Sequence, residues 1–153
     1  MKVFISYGSA ADQVTALRLQ ALGAVNGLTV YVPPAYTRQA SPVLLDPESG
    51  QKLKESDVIL GVVGAGVSEA CRQELNTSQA LQKPTIVMAD PIVAPQLQPY
   101  FANLIVVDPA NPDRAELAIV EHLRAIDGQQ NAKKALIALG TLALGLLIFA
   151  PTD

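Results

Sequence analysis

Glu74 is the side chain on which the chemical reading of this sequence turns. It closes the run Cys71-Arg72-Gln73-Glu74 and is followed by Leu75. On a helix, Cys71, Leu75, Ser78 and Leu81 recur at about helical spacing and make one inward stripe. Glu74 falls one position beside that stripe, so its carboxylate is expected at the edge of the buried face. If the protein has chemistry, this carboxylate is expected to be central to it. The other reactive residue types offer less. Cys71 reads as a core residue, because the lone histidine, His122, is far along the chain and nothing puts it beside the thiol to activate it. No Cys/His cluster has zinc spacing, so no metal site is expected. Asp12 and Ser9 suit the first turn of a helix, and Asp90 followed by Pro91 suits a turn.

The elements that must position Glu74 lie on either side of it. Val58–Val63 and Thr85–Ala89 are short apolar runs rich in β-branched residues, which predicts two buried parallel strands with the Glu74 helix between them. Ligands of open α/β sheets bind at the carboxyl ends of the strands. Upstream, residues 3–6 form a strand that opens at once into Tyr7, Gly8 and Ser9. The helix that follows is expected to run to about Leu22, with Val14, Leu17 and Ala21 facing in, and to stop at Gly23 or Gly27. Residues 28–32 make a second strand, ended by Pro33 and Pro34. Residues 33–50 read as a long proline-rich loop, a length that often carries function. A short helix is expected over 51–55. Gly61, Gly64 and Gly66 mark a close backbone turn, although their spacing is not a dinucleotide fingerprint. Residues 104–107 are a fifth strand. Residues 113–127 are a last helix, with Ile119, Val120, Leu123 and Ile126 as its apolar face.

The chain has 153 residues, half of them apolar, with a net charge of −3. That suits one domain with a full core, and it lacks the basic patch of a nucleic-acid binder. A single cysteine fits a reducing compartment. The N-terminus has no signal-peptide core. Residues 135–150, ALIALGTLALGLLIFA, carry no charge and are apolar on every face, and Lys133 and Lys134 stand directly before them. Sixteen helical residues reach roughly 24 Å, a little short of a ~30 Å hydrocarbon core, and snorkelling lysines help to close the gap. This stretch is expected to be a transmembrane helix behind a polar linker, residues 129–134. The lysines favour a cytoplasmic N-terminal domain.

Four motifs in register resemble the TIR (Toll/interleukin-1 receptor) domain family. FISYGSAAD at 4–12 resembles its opening strand and first loop, and SDVILGVVG at 56–64 its third strand. SEACRQEL at 68–75 resembles its signature helix, and KPTIVMAD at 83–90 its fourth strand. Ala70 stands where the family usually has tryptophan, and the loop after the second strand differs in detail. The resemblance covers about residues 1–128. It implies a flavodoxin-like α/β fold: a five-stranded parallel sheet with helices on both faces, here followed by the C-terminal hydrophobic helix. Many such domains cleave NAD+ at the nicotinamide–ribose bond, which makes NAD+ a substrate and requires no cofactor. The resemblance puts the catalytic carboxylate at Glu74, and substrate contacts at Tyr7, Gly8 and Ser9 and in the long loop, at Pro33, Tyr36 and Arg38. It further implies activation by self-association, an activator or sensor protein as partner, and a place in bacterial anti-phage defence or signalling. With the hydrophobic helix, that means a single pass through the bacterial inner membrane. Two other readings are open: a non-enzymatic TIR–TIR scaffold, which Ala70 favours, and an enzyme resembling nucleoside deoxyribosyltransferases.

Overall fold

The computed structural model describes residues 1–35 and 45–128. Five strands form one sheet: β1 (Lys2–Tyr7), β2 (Thr29–Tyr31), β3 (Val58–Val63), β4 (Thr85–Ala89) and β5 (Leu104–Val106). All neighbours pair in parallel, in the flavodoxin-like order β2-β1-β3-β4-β5. The helices are α1 (Ala10–Val25), α2 (Pro47–Glu55), α3 (Glu69–Ala80), α4 (Ala94–Leu97) and α5 (Pro112–Asp127).

Strand alternation divides the core in two. Val3, Ile5 and Tyr7 of β1 point to one face, where they pack with Ala16 and Leu19 of α1 and with Ile119, Val120 and Leu123 of α5. Phe4, Ile59, Val63 and Val87 point to the other face, against Leu53 of α2, Cys71 and Leu75 of α3, and Leu97 of α4. A sheet covered on both faces needs strands that are apolar throughout, and all six residues of β3 are buried. The bounds of β3 and β4 and the apolar face of α5 agree with the sequence reading.

The helix boundaries and faces differ at several points. α1 extends to Val25, and Gly27, with φ +80°, takes the left-handed position after its C-cap. Its inward residues are Asp12, Ala16, Leu19 and Gly23, whereas Val14 and Leu17 are 57% and 47% exposed and Ala21 is exposed too. Close packing explains the C-terminal end of this face: a Cβ at Gly23 would come within 2.7 Å of Val30, so only glycine fits there. α2 starts at Pro47 instead of near Gln51. Asp46 caps it by accepting a bond from the Ser49 amide at 3.1 Å, and proline at the first helical position costs no hydrogen bond. The proline-punctuated stretch after β4 contains the single turn α4. Leu81 is the C-cap of α3 and is exposed, so it leaves the expected stripe. Gly61 lies inside β3 and not in a turn. Among the described residues, no helix is long and apolar enough to cross a membrane, and the expected linker and transmembrane helix at 129–150 lie outside them.

Candidate active site

α3 begins at Ser68, whose hydroxyl accepts a bond from the Cys71 amide at 3.2 Å. That cap fixes the phase of the helix, and the phase points Cys71, Glu74, Leu75 and Ser78 at the sheet. Gly61 lets the helix come close. A Cβ there would sit 3.4 Å from Leu75 and 3.3 Å from Val87, tighter than most side-chain contacts. Gly61 pairs with Ser6 in the sheet register, so the same close approach brings α3 over the end of β1.

Glu74 is therefore buried, at 1% exposure, and not at the edge of the apolar face as its spacing suggested. Ser6 donates from Oγ to Glu74 Oε1 at 2.7 Å, and its Oγ lies 3.2 Å from Cys71 Sγ. Ser6 and Cys71 are themselves fully buried. Removing a carboxylate from water costs several kcal/mol, roughly, unless hydrogen bonds replace the lost solvation. Ser6 is one such partner, supplied from the next to last residue of β1. The sheet order reverses between β1 and β3, so this cluster lies at the topological switch point, where doubly wound sheets bind ligands.

Tyr31, at the end of β2, and Ser49, in the first turn of α2, extend the polar cluster. Burial pushes the Tyr31 phenol above its ordinary value of 10.0, the nearby Ser49 hydroxyl opposes that, and the charges of Glu48, Asp46 and Glu74 add to the rise. Neither hydroxyl makes a hydrogen bond of good geometry, although both oxygens are shielded from solvent. The Tyr31 ring packs against Phe4 with centroids 5.6 Å apart, and Lys52 Nζ stands 5.8 Å from its centre. Sequence reasoning passed over Ser6, Tyr31 and Ser49. Alternation in β1 puts Ser6 among apolar neighbours, and a buried serine in such a run is the signal that would have found it.

The structure separates the other expected site residues. Tyr7 points to the face opposite Ser6, into the core beneath α1 and α5, and its hydroxyl donates to the Pro33 carbonyl at 2.6 Å. Tyr7 thereby ties the end of β1 to the start of the long loop. Gly8 is buried; its amide donates to the Val62 carbonyl at 2.9 Å and its carbonyl accepts from the Ser68 amide at 3.0 Å. Ser9 caps α1 through Asp12. Its Oγ accepts from the Asp12 amide at 3.3 Å and donates to Asp12 Oδ2 at 2.9 Å. Pro33 is buried, and Tyr36 and Arg38 lie outside the described residues. Asp90 forms the expected turn, accepting from the Ile92 amide at 2.9 Å. On the Tyr7 face, a small cavity of about 150 Å³ is lined by Asp12, Asp90 and Glu116, the last ion-paired with Arg18 at 3.1 Å. Among the described residues, no group of three or more His, Cys, Asp or Glu side chains is arranged to hold a metal ion.

No family model and no curated protein matches the chain. Among solved structures it is similar to the sugar isomerase domain of the RpiR transcription factor from Sphaerobacter thermophilus, which is not a TIR domain. The TM-score is 0.50 at 17% identity, and the match covers 89% of this chain and 75% of that one. A likeness at this identity concerns the fold alone, here an α/β sheet of parallel strands.

Proposed function

We propose that the chain is a TIR-type NAD+ glycohydrolase, with Glu74 as its catalytic carboxylate and residues 135–150 as its membrane anchor. The observation that carries the reading is the buried Glu74–Ser6 pair at the switch point of the sheet, on the helix that resembles the TIR signature. In the reaction, the bond between ribose C1′ and the nicotinamide nitrogen breaks. The electron pair stays with nitrogen and neutralises the pyridinium, so the leaving group needs no acid. Positive charge builds on the ribose ring, where Glu74 stabilises it or holds the ribose hydroxyls. Water adds to C1′ and loses a proton, which gives ADP-ribose; attack from within the nucleotide gives a cyclised form instead. Ser6 positions the carboxylate through its 2.7 Å bond. Glu74 is almost fully buried, so substrate contact requires a local opening, a step that self-association through the long loop would supply.

The same burial favours a second reading, in which Glu74 is structural and the domain is a TIR–TIR scaffold. Ala70, in place of tryptophan, points the same way. Offering NAD+ and nucleosides separately to the chain concentrated on lipid distinguishes the readings. Nicotinamide release supports the proposal. Base release from nucleosides alone moves it to the deoxyribosyltransferase-like class. A folded chain that turns over neither favours the scaffold or an enzyme that awaits its activator.

A further inference from the structure

α3 has a second working face. Arg72, Asn76 and Gln79 recur at helical spacing on the side away from Ser6, and they form one wall of a groove of about 650 Å³. Ile92, Gln96 and Tyr100, from the segment after β4, form the other wall. Buried Leu75, Val93, Leu97 and Phe101 also line the groove. Ser6, Cys71 and Glu74 do not line it, so the groove is separate from the carboxylate site and the inference stands apart from the reading of Glu74.

Three properties define the occupant. The volume falls in the range of small-molecule sites. Ile92 and Tyr100 are large apolar side chains left 83% and 71% exposed at the rim, where a flat apolar body would cover them. Arg72 is the one charged side chain among the lining residues. Its contact with Glu69 is long, at 3.8 Å, and both side chains are more than half exposed, so that pair is weak. Gln79 Nε2 donates to the Tyr100 carbonyl at 2.8 Å and bridges the two walls. We infer that this groove binds a small aromatic monoanion of the aryl carboxylate class. Its ring lies between the Ile92–Tyr100 rim and the apolar floor, and its carboxylate lies on the guanidinium of Arg72.

The test is calorimetric titration of the full chain with 1-naphthoate and, separately, with neutral 1-naphthylmethanol, which reports partition into apolar segments such as 135–150. The expected result is saturable one-to-one binding of naphthoate, about threefold tighter than the alcohol, the scale of an ion pair at an exposed guanidinium. Arg72→Gln, a change on an exposed side chain, removes that preference. Gly66 lines the groove, and a Cβ there meets nothing within 4 Å, so Gly66→Phe, checked for an unchanged urea midpoint, is expected to fill groove space and abolish saturable binding of both compounds. Absence of saturable naphthoate binding, equal affinity for acid and alcohol, or binding unchanged in both variants overturns the inference.

Discussion

Ser6 and Tyr31 show how single hydroxyls set the character of this site. Ser6 donates to a carboxylate that has almost no contact with water, so Ser6→Ala removes one of its hydrogen bonds without removing its burial. We expect a loss of about 1–3 kcal/mol, read as a lower urea midpoint at unchanged slope. Tyr31 is the converse case, a hydroxyl shielded from water with no bond of good geometry. Its phenol is raised above 10.0, chiefly by burial. A raised acid binds its proton more tightly when folded than when unfolded. Its stabilisation is therefore complete below the unfolded value and is lost as pH rises through the folded one. Tyr31→Phe is expected to leave the urea midpoint at pH 7 unchanged or higher, and to blunt the fall in midpoint above pH 10. A variant whose alkaline fall matches the native chain would contradict this account. Glu74 is legible from its helix alone, but its pairing with Ser6 is not. Ser6 and Glu74 are 68 positions apart, and only the parallel register and the phase of α3 bring them together.

The elements were legible in proportion to how far they depend on local pattern. β3 and β4 announce themselves as continuous β-branched runs, and α5 as an amphipathic stripe. α1 misleads because, apart from Leu19, its inward face is built from Asp12, Ala16 and Gly23. Apolarity marks what prefers burial, while close helix–sheet contact selects small residues. The start of α2 was present in the sequence as Asp46-Pro47, a cap followed by a first-turn proline, but it lay within a stretch whose prolines suggested a loop. Gly8 joins two elements directly. A Cβ there would stand 2.1 Å from the Gly66 carbonyl oxygen, so the loop from β3 to α3 closes over β1 only because residue 8 is glycine. Gly8→Ala must push that loop away. We expect a cost of about 1–3 kcal/mol, with the Cys71–Glu74 turn displaced from Ser6. Amide exchange in α3 faster than in the native chain is the readout, and unchanged exchange there would show that the loop adapts at no cost.

At the scale of the whole molecule, the chain joins a doubly wound sheet to an uncharged apolar stretch at 135–150. In the proposed function that stretch concentrates the domain on a membrane, and crowding on the surface favours self-association. Deleting residues 129–153 is then expected to leave a folded domain that no longer co-sediments with vesicles and releases nicotinamide at least about tenfold more slowly at equal total concentration. Equal rates with and without the segment would separate anchoring from activity. The central claim, that Glu74 cleaves NAD+, meets its most direct test in nicotinamide release by the native chain and by Glu74→Gln, both on the same lipid surface and matched for fold by circular dichroism. The native chain is expected to turn over NAD+ and the variant to have lost that turnover. Equal turnover by both, or none by a folded native chain held at high surface density, would contradict that claim.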